Sequence, residues 1–183
     1  MTAAQRMALQ YVLLFGATGV SLPFAGLWMS AQGLSGAQIG TVLAAPMLAR
    51  IVTGPLLAVW ADGFRYRRTP IALLGLIMAL GYGLAGLADG FGLRAIGWFI
   101  GATAMGVLVP LTDVMTLRLA SRLGFTFALP RGAGSAAFVL ANIGMGALLL
   151  SAPADGVIVW IVALSVAFTA AAVLALPPSR CGR

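Results

Sequence analysis

Arg50 is a charged residue in the middle of a long apolar run. The run ends at Asp62, so on a helix Arg50 would lie ~18 Å from that end, near the centre of a membrane. An ionised side chain at that depth costs at least ~2.5–3.5 kcal/mol and usually faces a polar cavity or a partner. Arg50 is therefore either a structural arginine bonded to carbonyls of a neighbouring helix or a residue that faces a solute.

Asp113 and Arg131 form a second pair of charges, separated by about 18 residues with Arg122 at the midpoint. If the flanking helices form an antiparallel hairpin about Arg122, both side chains lie at similar depth. They would then neutralise one another in a low-dielectric setting and offer hydrogen bonds to a ligand. The alternative is a pair near the membrane surface that caps the loop or sets topology.

The third constellation is an acid followed by a basic turn. Asp62 precedes Arg65, Arg67 and Arg68, and Pro70 suits the first turn of a following helix. The carboxylate can accept bonds from turn amides or from the arginines, which predicts a defined hairpin between two helices. The alternative is a simple cluster of charges that stops transfer across a membrane.

Most catalytic chemistries lack their usual residues in this sequence. Histidine, lysine and glutamate are absent, there are only four acidic residues, and the single cysteine is Cys181. General acid–base, nucleophilic and zinc chemistry normally use these groups. We therefore predict no enzyme activity, no metal site and no cofactor.

The elements that must position these charges are membrane helices. The sequence is 61% hydrophobic and only 8% charged, whereas a soluble domain carries about a quarter charged residues. The apolar runs are continuous, unlike the alternating strands of a membrane barrel. The prediction is an all-α integral membrane protein in contact with the lipid bilayer.

Six apolar segments are each long enough to cross ~30 Å of hydrocarbon. We predict transmembrane helices over residues 8–30, 37–61, 70–88, 95–117, 132–151 and 157–176, which form one six-helix transmembrane domain (1–176), followed by a short cytoplasmic tail (177–183). Glycines recur within the third segment, at Gly75, Gly81, Gly83 and Gly86. Small residues allow helices to approach closely in lipid, so tight packing is the main interpretation, and a pore-lining or hinge role is the alternative.

The arginines predict the orientation of the chain in the membrane. Six crossings place nine arginines on one side: Arg6, Arg65, Arg67, Arg68, Arg118, Arg122, Arg131, Arg180 and Arg183. Arg94 remains on the other side, with Asp89 and Asp155. Because positively charged loops stay in the cytoplasm, we expect both termini there, in the inner (plasma) membrane. This also explains the net charge of +7 without any nucleic acid partner.

Together these features resemble the amino-terminal six-helix half of a major facilitator superfamily transporter. Residues 58–62 with the following arginines are similar to the superfamily's signature between helices 2 and 3, although Ala58 stands where that signature has glycine. Within the superfamily, residues 21–24, 33–40 and 46–50 look like the branch of phenylpropionate permease, lactose permease and nucleoside:proton symporters.

The resemblance implies roles for the charged residues. In lactose permease a helix 4 carboxylate and a helix 5 arginine at this spacing bind the sugar, and they correspond to Asp113 and Arg131. The aspartate here is one methylene shorter than the glutamate of that family. Arg50 is a further substrate-binding candidate because of its depth in the second apolar segment. The conformational loop between helices 2 and 3 would comprise Asp62, Arg65, Arg67 and Arg68.

The resemblance also implies a function and partners. We expect proton-coupled uptake (symport) of a small organic solute such as an aromatic acid, a sugar or a nucleoside, with uniport as the alternative. The superfamily binds solutes between two six-helix halves, so a second half or a homodimer is the expected partner. The segment 177–183 is expected to mark a truncation. The alternative is a non-transporting membrane scaffold or accessory subunit.

Overall fold

The computed structural model describes residues 1–176, and that part of the chain contains helices and no β-strand. The helices are α1 (Ala3–Ala31), α2 (Gly36–Asp62), α3 (Arg68–Leu87), α4 (Phe91–Leu123), α5 (Ala128–Leu148) and α6 (Asp155–Leu174). The prediction of six helices is confirmed. The predicted tail, 177–183, lies outside the described residues.

Side-chain caps and glycines set several helix ends. Thr2 and Ser35 each form a capping box with the glutamine three residues later, which satisfies backbone groups at the starts of α1 and α2. Gly33, in the turn between these helices, has a φ of 81°, and Gly124 after α4 has a φ of 70°. Both glycines adopt the left-handed conformation that favours a residue without a Cβ.

Five of these helices are long and apolar enough to cross a membrane by themselves. The exception is α5, which carries Arg131, Asn142 and several glycines within 21 residues. Large apolar side chains on the other helices, such as Leu80 and Leu174, remain exposed on the protein surface and would contact lipid. The chain is therefore a multi-pass integral membrane protein.

Helix α4 is longer than the predicted segment 95–117. It has 33 residues and spans ~50 Å, well beyond the ~30 Å of hydrocarbon. The prediction used Arg118 as an end, but a charge does not break a helix once the chain has left the hydrocarbon. The helix continues through Arg122 and ends where Gly124 turns the backbone.

Helix α1 lies at the centre of the bundle. It packs along α5 and α6 and also contacts α4, while α3 packs against α4 and α6. Helix α2 lies mainly against α4 and is the least covered, since only Val42, Pro46 and Ala61 are buried on it. The expected hairpin of the fourth and fifth helices is wrong, because α1 separates α4 from α5.

Glycines allow close approach between helices, as the packing interpretation predicts. A Cβ on Gly81 or on Gly97 would lie 2.5 Å from a backbone nitrogen of the facing helix, so α3 and α4 meet backbone to backbone. Gly75 and Gly86 similarly face side chains of α6 at 2.9 and 3.0 Å. Gly83 faces open space, so the packing interpretation does not hold for it.

Arg94 forms a buried polar network at the end of the bundle opposite the α2–α3 turn. The residue is 6% exposed, and its guanidinium donates to the Ala88 carbonyl at 2.9 Å and to Gln32 Oε1 at 3.1 Å. Gln32 in turn donates to Asp155 Oδ1 at 2.5 Å. The network joins the ends of α1 and α3 to the starts of α4 and α6, so Arg94 is more than the loop charge that the sequence indicated.

Candidate functional site

Asp113 and Arg131 meet in the structure although their helices do not pack together. Arg131 Nε lies 3.7 Å from Asp113 Oδ1, and the two side chains are 32% and 31% exposed. Asp113 is inside α4, whereas Arg131 is in the first turn of α5. The two residues predicted from their spacing therefore form an ion pair that reaches past α1.

Tyr11 of α1 completes this pair. Its hydroxyl donates to Asp113 Oδ1 at 2.6 Å, and the side chain is fully buried. Tyr11 was not predicted from the sequence, because a single aromatic residue in an apolar span looks like ordinary packing. One signal was available: a buried phenol normally needs a hydrogen-bond partner.

Phe15 lies one helical turn further along α1 and covers the guanidinium of Arg131. The Cζ atom of Arg131 is 4.2 Å from the Phe15 ring centroid and 5.8 Å from that of Tyr11, so both rings are within cation–π range. Arg131 Nη1 also donates to Ser135 Oγ at 3.3 Å. We refer to Tyr11, Phe15, Asp113, Arg131 and Ser135 as the Asp113–Arg131 site.

The Asp113–Arg131 site has free hydrogen-bonding groups. Within residues 1–176, no protein group bonds to Asp113 Oδ2 or to Arg131 Nη2. Because the carboxylate and the guanidinium neutralise one another, the site has little net charge. It offers an acceptor and a donor beside an aromatic face, which is a combination that can bind a polar solute.

Arg50 lies apart from this ion pair, in a groove between α2 and α4. Its side chain is exposed and lies against Gly106, where a Cβ would be 3.6 Å from Arg50 Cδ. The groove encloses about 410 Å³ and is also lined by Asp62 and Arg118. Gly106 and Asp113 are two turns apart on one face of α4, ~10 Å along its axis. Within the described residues Arg50 forms no ion pair.

Two of the four predicted loop residues are paired in the α2–α3 turn. Arg67 Nη2 lies 3.0 Å from Asp62 Oδ1, and Arg67 is 8% exposed. Arg65 is exposed and lies over the ring of Tyr66 at 5.5 Å, while Arg68 begins α3. The structure thus joins Asp62 to Arg67 and leaves Arg65 and Arg68 out of that pair.

The fold and the site together define a class of protein. Ionisable residues inside membrane spans are rare, and they commonly mark substrate or ion pathways. A multi-pass helical bundle with a paired aspartate and arginine among its helices therefore has the features of membrane proteins that bind a solute or an ion within the membrane.

Residues 4–180 match the model of the MFS_1 like family, and the chain belongs to that family. The resemblance to the major facilitator superfamily is thereby confirmed. The chain is also similar to the maltose permease of Geobacillus stearothermophilus, with 29% identity over 140 residues. That match covers 74% of this chain and 35% of the permease, so the chain spans about a third of its relative. Family and relative both point to a membrane transporter rather than to an enzyme.

Proposed function

We propose that this chain forms one six-helix half of a proton-coupled transporter for a small, neutral, hydroxylated solute such as a sugar. The observation that carries the proposal is the Asp113–Arg131 ion pair beside Phe15. A neutralised pair with a free acceptor and a free donor suits hydroxyl groups, which both donate and accept. The aromatic face of Phe15 suits the apolar face of a sugar ring. The name of the related maltose permease favours the same class.

Proton coupling is proposed on the position of the carboxylates. Asp62 and Asp155 lie at helix ends and Asp89 in a turn, whereas Asp113 lies inside α4. Asp113 is therefore the carboxylate of the described chain that could take up a proton within the membrane. If so, sugar binding to the purified chain should depend on pH, and the Asp113→Asn variant should abolish that dependence.

The solute class can be tested by binding to the purified chain in lipid nanodiscs. Calorimetry would compare maltose, uridine and 3-phenylpropionate for the wild type and for Asp113→Asn, Arg131→Gln and Arg122→Gln. We expect maltose to bind best, and loss of either partner to weaken binding by about tenfold or more, because one charged group is left unpaired. Arg122→Gln is the control, since Arg122 is exposed at the far end of α4. Preferential binding of phenylpropionate, or no binding of maltose, would contradict the proposal.

An anionic solute is the second candidate, and Arg50 favours it. This arginine has no ion-pair partner within residues 1–176 and faces a groove with two further arginines. If the transported molecule is an aromatic acid, Arg50→Gln should weaken phenylpropionate binding and leave maltose binding unchanged. Equal phenylpropionate binding by the variant and the wild type would exclude this role.

We further infer that a second six-helix unit covers the face of α2 that bears Arg50. An exposed arginine near mid-helix is costly against lipid, so protein or water must lie there. The unit could be a copy of this chain, a separately encoded half or a further part of a longer chain. If the chain is instead a non-transporting scaffold or accessory subunit, it should co-purify with a stable partner and bind no solute. The mass of the purified chain in nanodiscs distinguishes a dimer from a monomer.

The proposed orientation, with both termini in the cytoplasm of the cell's inner membrane, can be tested by cysteine labelling. In a Cys181→Ser background, Ser121→Cys lies at one end of α4 and Ser151→Cys lies in the α5–α6 turn, both exposed. An impermeant thiol reagent applied to intact spheroplasts should label Ser151→Cys and spare Ser121→Cys. The reverse pattern would place the termini outside.

A further inference from the structure

We propose that Tyr11 is a positioning residue of the Asp113–Arg131 site. Its hydroxyl holds the Asp113 carboxylate away from Arg131, so that the guanidinium stays available to a solute. The proposal rests on the proposed function for its biological meaning, but its geometry and its test do not require a solute.

Two distances on one oxygen atom carry the proposal. Tyr11 Oη and Arg131 Nε both approach Asp113 Oδ1, the first at 2.6 Å and the second at 3.7 Å. The shorter contact is in the range of a charge-assisted O–H···O⁻ hydrogen bond. The longer one exceeds the range of an N–H···O hydrogen bond. The tyrosine, and not the arginine, is therefore the hydrogen-bond partner that orients the carboxylate.

The packing around Tyr11 keeps its ring in place. The side chain is fully buried between α4 and α5. On the α5 side it faces Gly134, where a Cβ would lie 2.9 Å from Tyr11 Cβ. The glycine lets α5 approach α1 this closely, so the ring has little room to move and the hydroxyl reaches α4 from a fixed direction. A fixed donor can hold a carboxylate in one orientation, which a flexible one cannot.

The consequence falls on Arg131. Its guanidinium lies against Phe15 and donates to Ser135, and within the described residues its Nη2 has no protein acceptor. An arginine and a carboxylate that are free to meet normally form two parallel hydrogen bonds. Such a pair would occupy the guanidinium donors that a solute would use. By donating to Oδ1, Tyr11 prevents Asp113 from forming two parallel hydrogen bonds with Arg131. The ion pair therefore stays loose, meaning that it has no direct hydrogen bond.

A purely structural role is the competing interpretation of Tyr11. In that case the bond to Asp113 only satisfies a buried hydroxyl, and its loss would alter stability but not the state of Arg131. The two interpretations differ in the chemical reactivity of one guanidinium, which can be measured without knowing the solute.

The test is modification of the full chain in nanodiscs by phenylglyoxal, with the rate at Arg131 measured by peptide mass spectrometry. Tyr11→Phe should lower the rate at Arg131 by roughly tenfold, the effect of one charged hydrogen bond changing partner. Tyr82→Phe is the matched control, because Tyr82 is also buried and, within the described residues, its hydroxyl forms a hydrogen bond only to Met105 Sδ, at 3.6 Å. It should leave the rate within about twofold of the wild type.

Asp113→Asn keeps the proposal falsifiable even if Tyr11→Phe folds poorly, and a double variant adds a second check where Tyr11→Phe folds. Asp113→Asn alone should change the Arg131 rate by no more than about twofold, because the wild-type pair is already loose. The double variant Tyr11→Phe/Asp113→Asn should restore the rate lost in Tyr11→Phe. An unchanged Arg131 rate in folded Tyr11→Phe, or a tenfold rise in Asp113→Asn, would overturn the proposal. Failure of maltose to bind would contradict the proposed function and leave this result standing.

Discussion

Replacing Gly81 by alanine tests whether close packing of α3 and α4 holds the bundle together. A Cβ at this position would lie 2.5 Å from the Gly101 nitrogen and 2.9 Å from the Gly97 carbonyl oxygen. These are backbone atoms of α4, so no side chain can rotate away to relieve the contact. Non-bonded atoms are favourably placed at about 3.5 Å or more, so the two helices must separate locally by ~1 Å.

The expected cost follows from that separation. A gap of this size forfeits a quarter to a half of the dispersion energy along the seam, and overpacking a close interface costs ~1–3 kcal/mol. Alanine is also a better helix former than glycine by about 1 kcal/mol, which partly offsets the loss. Gly83→Ala is the matched control, because it lies in the same helix and its Cβ would meet no atom within 4 Å. The difference in the free energy of unfolding between the two variants therefore measures the cost of the clash alone.

The assay is reversible unfolding of both variants in mixed micelles by titration with sodium dodecyl sulfate, followed by far-ultraviolet circular dichroism. We expect Gly81→Ala to be less stable than Gly83→Ala by ~1–3 kcal/mol. Equal stability of the two variants, or a more stable Gly81→Ala, would refute backbone-to-backbone packing as the link between α3 and α4.

Two further predictions concern charged residues at the ends of the helices. Arg94→Leu should lower the free energy of unfolding in the same titration by ~1–3 kcal/mol, because the Ala88 carbonyl and other buried acceptors lose their donor. An unchanged midpoint would show that water replaces the guanidinium. Arg67→Gln should speed proteolysis in the α2–α3 turn, because it removes the ion pair between the buried Arg67 and Asp62, whereas Arg65→Gln should not, because Arg65 is exposed and lies outside that pair. Equal cleavage of both variants would contradict a role of the pair in ordering the turn.

The number of helices could be predicted from the sequence because hydropathy depends on local composition. The ends of α4 could not be predicted in the same way. The prediction ended the helix before Arg118 because that residue is charged, yet the helix continues to Gly124. A charged residue in water can be part of a helix as well as of a loop. Caps were the better signal, as the capping boxes at Thr2 and Ser35 show.

The proximity of Asp113 and Arg131 was predicted from their spacing, but the α4–α5 hairpin assumed for it does not form. Spacing within a chain says how far apart two residues can be, and it does not say which helices are neighbours. The structure inserts α1 between α4 and α5, and this is why Tyr11 and Phe15 belong to the site. Which helices pack together depends on local contacts, such as the close approach of α1 to Gly134 of α5. A single sequence does not reveal which helix such a glycine faces.

Helix α5 shows why the weakest membrane span and the candidate site coincide. It does not reach the hydropathy of an independent span because it carries Arg131, Ser135, Asn142 and several glycines. A helix of this composition is poorly stabilised by lipid, so it depends on protein contacts, and it packs along α1 more extensively than along any other helix. The arginine lowers hydropathy and binds Asp113, while Gly134 lowers hydropathy and admits Tyr11. The low hydropathy of α5 therefore coincides with the candidate site, because a span that lipid does not favour is retained where its polar groups have partners inside the protein.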